Sequence, residues 1–210
     1  MTRNTFCKAV KYRVNEIFYS LQGEGRNTGR AAVFIRFSGC NLRCPFCDTD
    51  FSSYTEMSGD DIIEAIQPWK YCGFVVLTGG EPSLQVDDAL VDALHREGFS
   101  VAMETNGTHP VPESIDWVTV SPKENPSVSP KRKWPKRISE LKVIFDGKTD
   151  PHTFLSISDE SEGAPLLYLQ PCDTGDEARN REITGLCIDY IRQHPQWKLS
   201  LQTHKLLNIP

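Results

Sequence analysis

Three cysteines, Cys40, Cys44 and Cys47, stand at the spacing C-x3-C-x2-C within residues 39–49. This spacing can place three thiolates on three irons of a [4Fe-4S] cube, and no fourth cysteine follows within reach. One iron would then lack a protein ligand and could bind a small molecule, whereas a cluster held by four cysteines mostly carries electrons. The triplet therefore indicates a cluster that does chemistry.

A zinc site and disulfide bonds are the alternatives for these cysteines. Structural zinc normally takes four nitrogen or sulfur ligands, often from two close pairs, and Cys7, Cys72, Cys172 and Cys187 form no second pair. On the triplet alone, zinc stays open. Disulfides are disfavoured because the seven cysteines are odd in number and the chain opens without the basic start and apolar core of a signal peptide. We expect a protein of the reducing cytoplasm.

Length and charge limit the classes of protein that this chain can be. The 210 residues suit one core better than two domains of usual size, so we expect a single domain over residues 1–210. No apolar run is long enough to cross a bilayer. The net charge of −5 argues against a surface that binds nucleic acid throughout.

The elements that must position the cysteines alternate between strands and fewer helices. Apolar and alternating runs predict strands at residues 12–20, 32–38, 74–77, 100–103, 117–120, 140–145, 166–170 and 197–202. Helical periodicity and capping signals predict helices at 58–67, 86–97 and 178–193, with a weaker one at 151–156. About six core strands with about three main helices indicate an α/β fold, a truncated, partial parallel β/α barrel.

Polar motifs follow several of the predicted strands directly. In parallel β/α barrels the catalytic groups lie at the carboxyl ends of the strands, so we expect these motifs to meet around one site. The motifs lie at residues 38–40, 78–80, 104–106, 121–123 and 170–173.

The cysteine loop, in which Pro45 and Phe46 follow the second cysteine, resembles that of the radical S-adenosylmethionine (SAM) enzymes. The segment Gly79-Gly80-Glu81-Pro82 resembles the glycine-rich motif that binds the amino group of SAM in that superfamily. A glycine lets the backbone approach the methionyl ammonium, and a nearby acidic or carbonyl oxygen accepts its protons. The resemblance implies a [4Fe-4S] cluster whose open iron binds SAM.

Within that superfamily, dispersed motifs over nearly the whole chain resemble the 7-carboxy-7-deazaguanine synthase family. They are Leu21-Gln22-Gly23-Glu24-Gly25, Cys47-Asp48-Thr49 and Ser121-Pro122-Lys123. The resemblance implies conversion of 6-carboxy-5,6,7,8-tetrahydropterin into 7-carboxy-7-deazaguanine with release of ammonia, toward queuosine. It also implies a homodimer, a magnesium ion and a C-terminal tail that closes over the active site.

Matching motifs residue by residue gives the roles that the resemblance implies. Cys40, Cys44 and Cys47 bind the cluster, and Thr49 donates its hydroxyl oxygen to magnesium. Contacts to SAM fall on Phe46, Cys47, Asp48, Gly80, Glu81, Ser121, Pro122, Lys123, Gln170, Pro171, Cys172 and Asp173. Contacts to the pterin fall on Leu21, Gln22, Gly23, Glu24, Arg36, Thr78 and Pro210.

Some residues keep two interpretations. Arg36 lies on an otherwise apolar strand and needs an acidic partner, which is either the substrate carboxylate or a structural Glu or Asp. Glu104 and Asn106 bind ribose or close a turn, and His204 could face the substrate. The basic segment 131–137 is a solvated loop or a docking site for an electron donor such as flavodoxin.

Two other functions stay open on the sequence. A glycyl-radical activating enzyme has a similar cysteine loop and size but needs an open groove for a protein backbone. The chain could also be a non-catalytic iron–sulfur or zinc module. The Gln22-Gly23-Glu24 segment and the closing tail favour a small, enclosed substrate instead.

Overall fold

The computed structural model describes residues 10–45, 47, 53–123 and 134–210. Within these residues nine strands form one sheet in the order β3-β1-β2-β4-β5-β6-β7-β8-β9. The strands are β1 (Tyr12–Leu21), β2 (Ala31–Phe37), β3 (Thr55–Met57), β4 (Phe74–Gly79), β5 (Ser100–Thr105), β6 (Trp117–Val120), β7 (Glu140–Phe145), β8 (Leu166–Pro171) and β9 (Trp197–Leu199).

Strands β2 and β4 to β9 run parallel to one another, whereas β1 pairs antiparallel with both β2 and β3. The predicted α/β fold with a largely parallel sheet is therefore confirmed. The described residues contain seven parallel strands, where the sequence predicted about six, and the short strand β3 was not predicted.

Helices connect several of the parallel strands. They are α1 (Gly59–Ile66), α2 (Asp88–Arg96), α3 (Leu155–Asp159), α4 (Glu177–Gln193) and α5 (Thr203–Leu207), and a 3-10 turn at Pro151–Phe154 leads into α3. The three main predicted helices correspond to α1, α2 and α4. The weaker one corresponds to the 3-10 turn and α3, and α5 was not predicted. No helix of the described residues is long and apolar enough to span a membrane.

Side-chain caps set where α1 and α2 begin. Ser58 accepts a hydrogen bond from the Asp61 N–H and donates its own N–H to the Asp61 carboxylate, which forms a capping box at α1. Helix α2 begins at Asp88, two residues later than predicted, because Asp87 accepts from the Leu90 N–H and serves as the N-cap.

The two faces of the sheet differ in character. Successive side chains of a strand point to opposite faces. On β2, Val33, Ile35 and Phe37 pack in the main apolar core, whereas Phe34 and Arg36 line a cavity on the other face. The face of the sheet that carries Phe34 and Arg36 therefore positions the functional side chains.

Candidate active site

A cavity of about 530 Å³ lies at the carboxyl ends of the parallel strands. The segments that follow β2, β4, β5, β6 and β8 all contribute to its wall, as the sequence predicted for the polar motifs. Its volume lies in the usual range for small-molecule sites. The cavity is therefore the candidate active site.

The three cysteines of the triplet line this cavity together. Cys40 and Cys44 are half-buried, Cys47 is exposed, and all three are thiols. Among the described residues, no three His, Cys, Asp or Glu side chains lie close enough to hold one metal ion. The three thiols thus share one cavity, as the predicted cluster requires.

Gly79 and Gly80 fix the start of the cysteine loop against the end of β4. A Cβ on Gly79 would overlap the carbonyl oxygen of Phe37, and one on Gly80 would overlap that of Gly39. The backbone N–H of Gly80 donates to Phe37 O at 3.0 Å, and that of Glu81 donates to Gly39 O at 2.9 Å. Both positions therefore need glycine for the loop to lie here.

Glu81 holds the end of β5 rather than facing the cavity. Its carboxylate is 1% exposed and accepts hydrogen bonds from the Thr105 hydroxyl and the Asn106 N–H, both at 2.7 Å, and from the Ser83 hydroxyl at 2.6 Å. Asn106 in turn donates from its side chain to Asn41 in the cysteine loop at 3.1 Å. These contacts connect the ends of β4 and β5 with the cysteine loop.

A buried ion-pair cluster forms the inner wall. The Lys142 ammonium donates to the carboxylates of Glu24 and Glu104, the second at 2.9 Å. Burial alone would raise the pKa of Glu24, but the charge and hydrogen bond of Lys142 outweigh it and lower that pKa to about 2. For Lys142, burial acts to lower the pKa, and the two carboxylates raise it above its usual range.

Two further titratable groups lie beside this cluster. Burial, followed by the charge of Glu104, raises the pKa of Glu140 to about 7, and this carboxylate accepts from the Arg26 N–H at 3.0 Å. Burial, followed by the charge of Lys142, lowers the pKa of Lys123, whose ammonium donates to the Ser121 hydroxyl at 2.8 Å. The wall of the cavity thus holds several charged groups close together.

Comparisons with known proteins agree with this geometry. The radical SAM superfamily profile matches residues 34–119. A 7-carboxy-7-deazaguanine synthase of Bacteroides thetaiotaomicron is 49% identical over 197 residues, which are 94% of this chain and 98% of that protein. One from Burkholderia multivorans is 45% identical, covering 96% of this chain and 100% of that protein.

The chain belongs to the 7-carboxy-7-deazaguanine synthase family. The crystal structure of QueE from Escherichia coli is similar to it with a TM-score of 0.70 at 28% identity, covering 91% of this chain and 93% of that one. The predicted family, fold and enzyme class, a radical SAM lyase, are confirmed, and the cofactors of this superfamily are a [4Fe-4S] cluster and SAM. The activating enzyme and the non-catalytic module are the less well supported alternatives.

Most residues assigned from the family pattern line the cavity. Those with predicted contacts to SAM or pterin are Leu21, Gln22, Gly23, Glu24, Arg36, Cys47, Thr78, Gly80, Ser121, Lys123, Gln170, Pro171, Cys172, Asp173 and Pro210. Two described residues, Glu81 and Pro122, lie outside the lining. Phe46, Asp48 and Thr49 lie outside the described residues.

The structure supplies a protein partner for Arg36. Its Nε donates to the Glu16 carboxylate at 2.7 Å, from the neighbouring strand β1. Arg36 also lies beside Thr78 of β4 in the sheet register, and both residues line the cavity. Glu16 is therefore the structural carboxylate that pairs with Arg36, and Arg36 still lines the candidate active site.

Residues near the C-terminus pack against the loop that follows β1. The backbone N–H and hydroxyl of Thr203 both donate to Gly23 O, at 3.0 and 2.8 Å. Pro210 O accepts from the Ser20 hydroxyl at 2.9 Å, and His204 lines the cavity.

Sequence reasoning missed Lys142 and Glu16 and left Glu104 undecided. The signal for Lys142 was a charge between apolar residues in a strand buried throughout, Glu-Leu-Lys-Val-Ile-Phe. An unpaired lysine there would be costly, so it required acidic partners. Nothing local indicated that these partners would come from β5 and from the loop after β1.

Proposed function

We propose that this protein converts 6-carboxy-5,6,7,8-tetrahydropterin into 7-carboxy-7-deazaguanine and ammonia, a step toward queuosine, inside the cavity at the carboxyl ends of the strands. The observation that carries the proposal is the meeting of the three cysteines with a wall of paired carboxylates and amides in one cavity. Such a wall suits a small, polar, bicyclic substrate better than a protein backbone.

In this proposal the chain recognises both ends of the pterin. The substrate carries one carboxylate, and its ring carries an amino group and N–H donors. Arg36 has its Nε held by Glu16, which leaves the guanidinium fork in position to bind the substrate carboxylate. Glu24 accepts from the ring donors, with Leu21, Gln22, Gly23, Thr78 and Pro210 as the other contacts.

The cofactors would occupy the side of the cavity nearest the cysteine loop. Cys40, Cys44 and Cys47 would hold the cluster, and Gly80, Ser121, Lys123 and the segment 170–173 would orient SAM. When bound, the cluster and SAM supply one-electron cleavage of a carbon–sulfur bond, which starts the radical reaction. Glu81 acts indirectly, because its carboxylate fixes the backbone beside this site.

Magnesium is the third cofactor of the proposal. Mg²⁺ prefers oxygen ligands and often keeps waters and a substrate anion in its shell. Thr49, two residues after the last cluster cysteine, would supply one oxygen and the substrate carboxylate another. The ion would orient that carboxylate and stabilise negative charge as ammonia leaves.

The remaining parts of the proposal concern the chain as a whole. Residues 1–210 would form one radical SAM domain in which the C-terminal segment closes over the substrate, as its contacts with Gly23 and Ser20 suggest. A flavodoxin-like donor would dock near the basic segment 131–137, where Lys136 and Arg137 are exposed. A homodimer is proposed from the family resemblance.

The test is a defined reaction. Anaerobically reconstituted protein is incubated with the carboxytetrahydropterin, SAM, a reductant and Mg²⁺, and 7-carboxy-7-deazaguanine and ammonia are quantified. We expect both products in equal amounts, and neither when SAM is omitted. Cluster-loaded protein that cleaves SAM but forms no deazapurine would contradict the proposal.

A further inference from the structure

The side chain of Lys142 extends from strand β7 and places its ammonium in the cavity wall. Its side chain is 4% exposed, while the side chains of its two partners, Glu24 and Glu104, are 18% and 21% exposed. The lysine is thus enclosed by protein, and the carboxylates extend further toward the cavity. Both carboxylates line it, as does Lys142 itself.

Lys142, Glu24 and Glu104 form two ion pairs that share one ammonium. One ammonium and two carboxylates give this cluster a net charge of −1. Glu24 would be costly to keep ionised here alone, because burial favours the neutral acid. The pKa of Glu24 is nevertheless lowered, with Lys142 as the opposing influence to burial.

Amide side chains fix the orientation of the same carboxylates. Gln170 donates to Glu24 Oε1 at 3.1 Å, and Gln22 donates to Glu104 Oε1 at 3.3 Å. In both carboxylates Lys142 binds the other oxygen, Oε2. Each carboxylate is thus held through both oxygens, and its remaining lone pairs are acceptors of set direction.

We propose that Lys142 is a positioning residue that holds Glu24 as an ionised acceptor, and Glu104 in a fixed orientation beside it, for the amino and ring N–H groups of the pterin. The inference rests on the proposed function. A carboxylate accepts hydrogen bonds only, whereas a protonated carboxyl presents a donor of its own. Loss of the ammonium would favour protonation of Glu24 and so place a donor where the substrate also donates.

Several titratable groups face this cluster from the surrounding elements. They are Glu140 on the same strand, Lys123 after β6 and His204 on α5. Glu140 has a pKa of about 7 and titrates in the range of interest. The experiment is therefore made in a Glu140→Gln background, which removes that titration from every protein compared.

The probe is the product, 7-carboxy-7-deazaguanine, which keeps an amino group and ring N–H donors and does not require turnover. Its dissociation constant is measured by equilibrium dialysis against cluster-loaded, SAM-bound protein at pH 6.5, 7.5 and 9. We expect the affinity of the Glu140→Gln parent for the product to vary little with pH. At pH 6.5, Lys142→Met should bind the product at least about tenfold more weakly than the parent, which corresponds to one pKa unit of unfavourable protonation. At pH 9 its affinity should recover toward that of the parent.

Three further variants separate positioning from folding. Lys142→Arg keeps the charge and should give a pH-independent affinity even if that affinity falls. Lys142→Met with Glu104→Gln restores the net charge of −1, so its thermal stability should exceed that of Lys142→Met while product binding stays weak at each pH. Lys70→Met removes an exposed ion pair with Glu97 and should match the parent.

Specific results would overturn the inference. Lys142→Met protein that binds product as the parent does, or that retains its cluster yet binds weakly with no change across pH, would leave Lys142 a structural residue only. Recovery of product affinity in Lys142→Met with Glu104→Gln would also leave Lys142 a structural residue only. If Lys142→Met does not fold, a pH-dependent affinity in Lys142→Arg overturns it. Failure of the unsubstituted protein to form or bind the product would instead contradict the proposed function.

Discussion

At the scale of single residues, neighbours decide the charge of each group in the cavity. Glu24 and Glu140 are both enclosed carboxyls, yet the pKa of one is lowered to about 2 and that of the other is raised to about 7. The difference follows from Lys142, which binds Glu24 directly, while Glu140 receives a backbone N–H and lies near Glu104. Position relative to one ammonium thus separates two identical side chains.

The cluster ligands give the first prediction. Cys40→Ala, Cys44→Ala and Cys47→Ala should each lose reductive SAM cleavage, since each removes one of three thiolates from the cube. Unsubstituted protein should hold about four irons per chain. Cys72→Ala and Cys187→Ala are controls that should keep the cluster, because neither residue lines the cavity. Stoichiometric zinc in active protein would contradict the cluster.

Thr49→Ala tests the proposed magnesium site. The variant should keep its cluster and reductive SAM cleavage and lose much of the stimulation of product formation by Mg²⁺, because one oxygen ligand is gone. Product formation is measured against Mg²⁺ concentration at saturating substrate. An unchanged magnesium dependence would remove Thr49 from the site.

Glu140 links the stability of the fold to pH. Its pKa in the folded protein is raised by burial from 4.5 to about 7, so the folded state prefers the neutral acid. Its contribution to stability is fully present below about pH 4.5 and is lost as the pH rises through 7. Glu140→Gln keeps an acceptor for the Arg26 N–H and has no such loss.

We therefore expect the free energy of unfolding of Glu140→Gln, relative to that of the unsubstituted protein, to be about 1–3 kcal/mol greater at pH 8 than at pH 5. Denaturant unfolding of cluster-loaded protein at the two pH values measures the difference. A gap that is equal at both pH values would show that Glu140 does not titrate between them.

At the scale of elements, the end of β4 is the support of the cysteine loop. Gly79 and Gly80 let the loop lie against the strand, and Glu81 fixes the end of β5 to the same point. Gly79 and Gly80 lie against backbone atoms, which cannot move away from an added side chain as a flexible side chain could. The position of the three thiols therefore depends on residues that carry no functional group.

Gly80→Ala should consequently disturb the cluster. The new Cβ would overlap the backbone carbonyl of Gly39, directly before Cys40, so we expect less iron per chain and lower SAM cleavage. Gly185→Ala is the matched control, because Gly185 lies in α4 with no atom near its Cβ position. That change should raise stability by about 0.5–1 kcal/mol and leave the iron content unchanged. Normal iron content in Gly80→Ala would contradict the proposed support.

At the scale of the whole molecule, the first and last parts of the chain meet at the cavity. Helix α5 and the residues after it pack on the loop between β1 and β2, and Lys205 pairs with Asp173 at 2.8 Å after β8. This ion pair and two further hydrogen bonds lower the pKa of Asp173 to about 2. The C-terminal segment thus touches both the predicted pterin contacts and the predicted SAM contacts.

Removal of residues 203–210 should weaken substrate binding more than cluster chemistry. The deletion leaves all three cysteines in place, so we expect SAM cleavage without substrate to persist and the KM for the pterin to rise at least about tenfold. Ser20→Ala, which removes only the hydrogen bond to Pro210, should have a much smaller effect. An unchanged KM in the truncated protein would exclude closure by this segment.

The sequence predicted the elements whose signals are local. Eight strand segments were identified from apolar and alternating runs, and α1 from its capping residues, to within a few residues at each end. The short strand β3 and helix α5 have three and five residues and too little periodicity to detect. Their existence depends on neighbours that are distant in the chain, β1 for the strand and Gly23 for the helix.

The sequence by itself determined the cluster ligands, the glycine segment and the family, because these depend on spacing within a few residues. Only the tertiary structure decided which charges share the cavity wall. Glu24, Glu104 and Lys142 are separated by 80 and 38 positions, and their pairing follows from the order of strands in the sheet. Ion pairs between distant residues leave no mark in local spacing, since any carboxylate could in principle satisfy a buried ammonium.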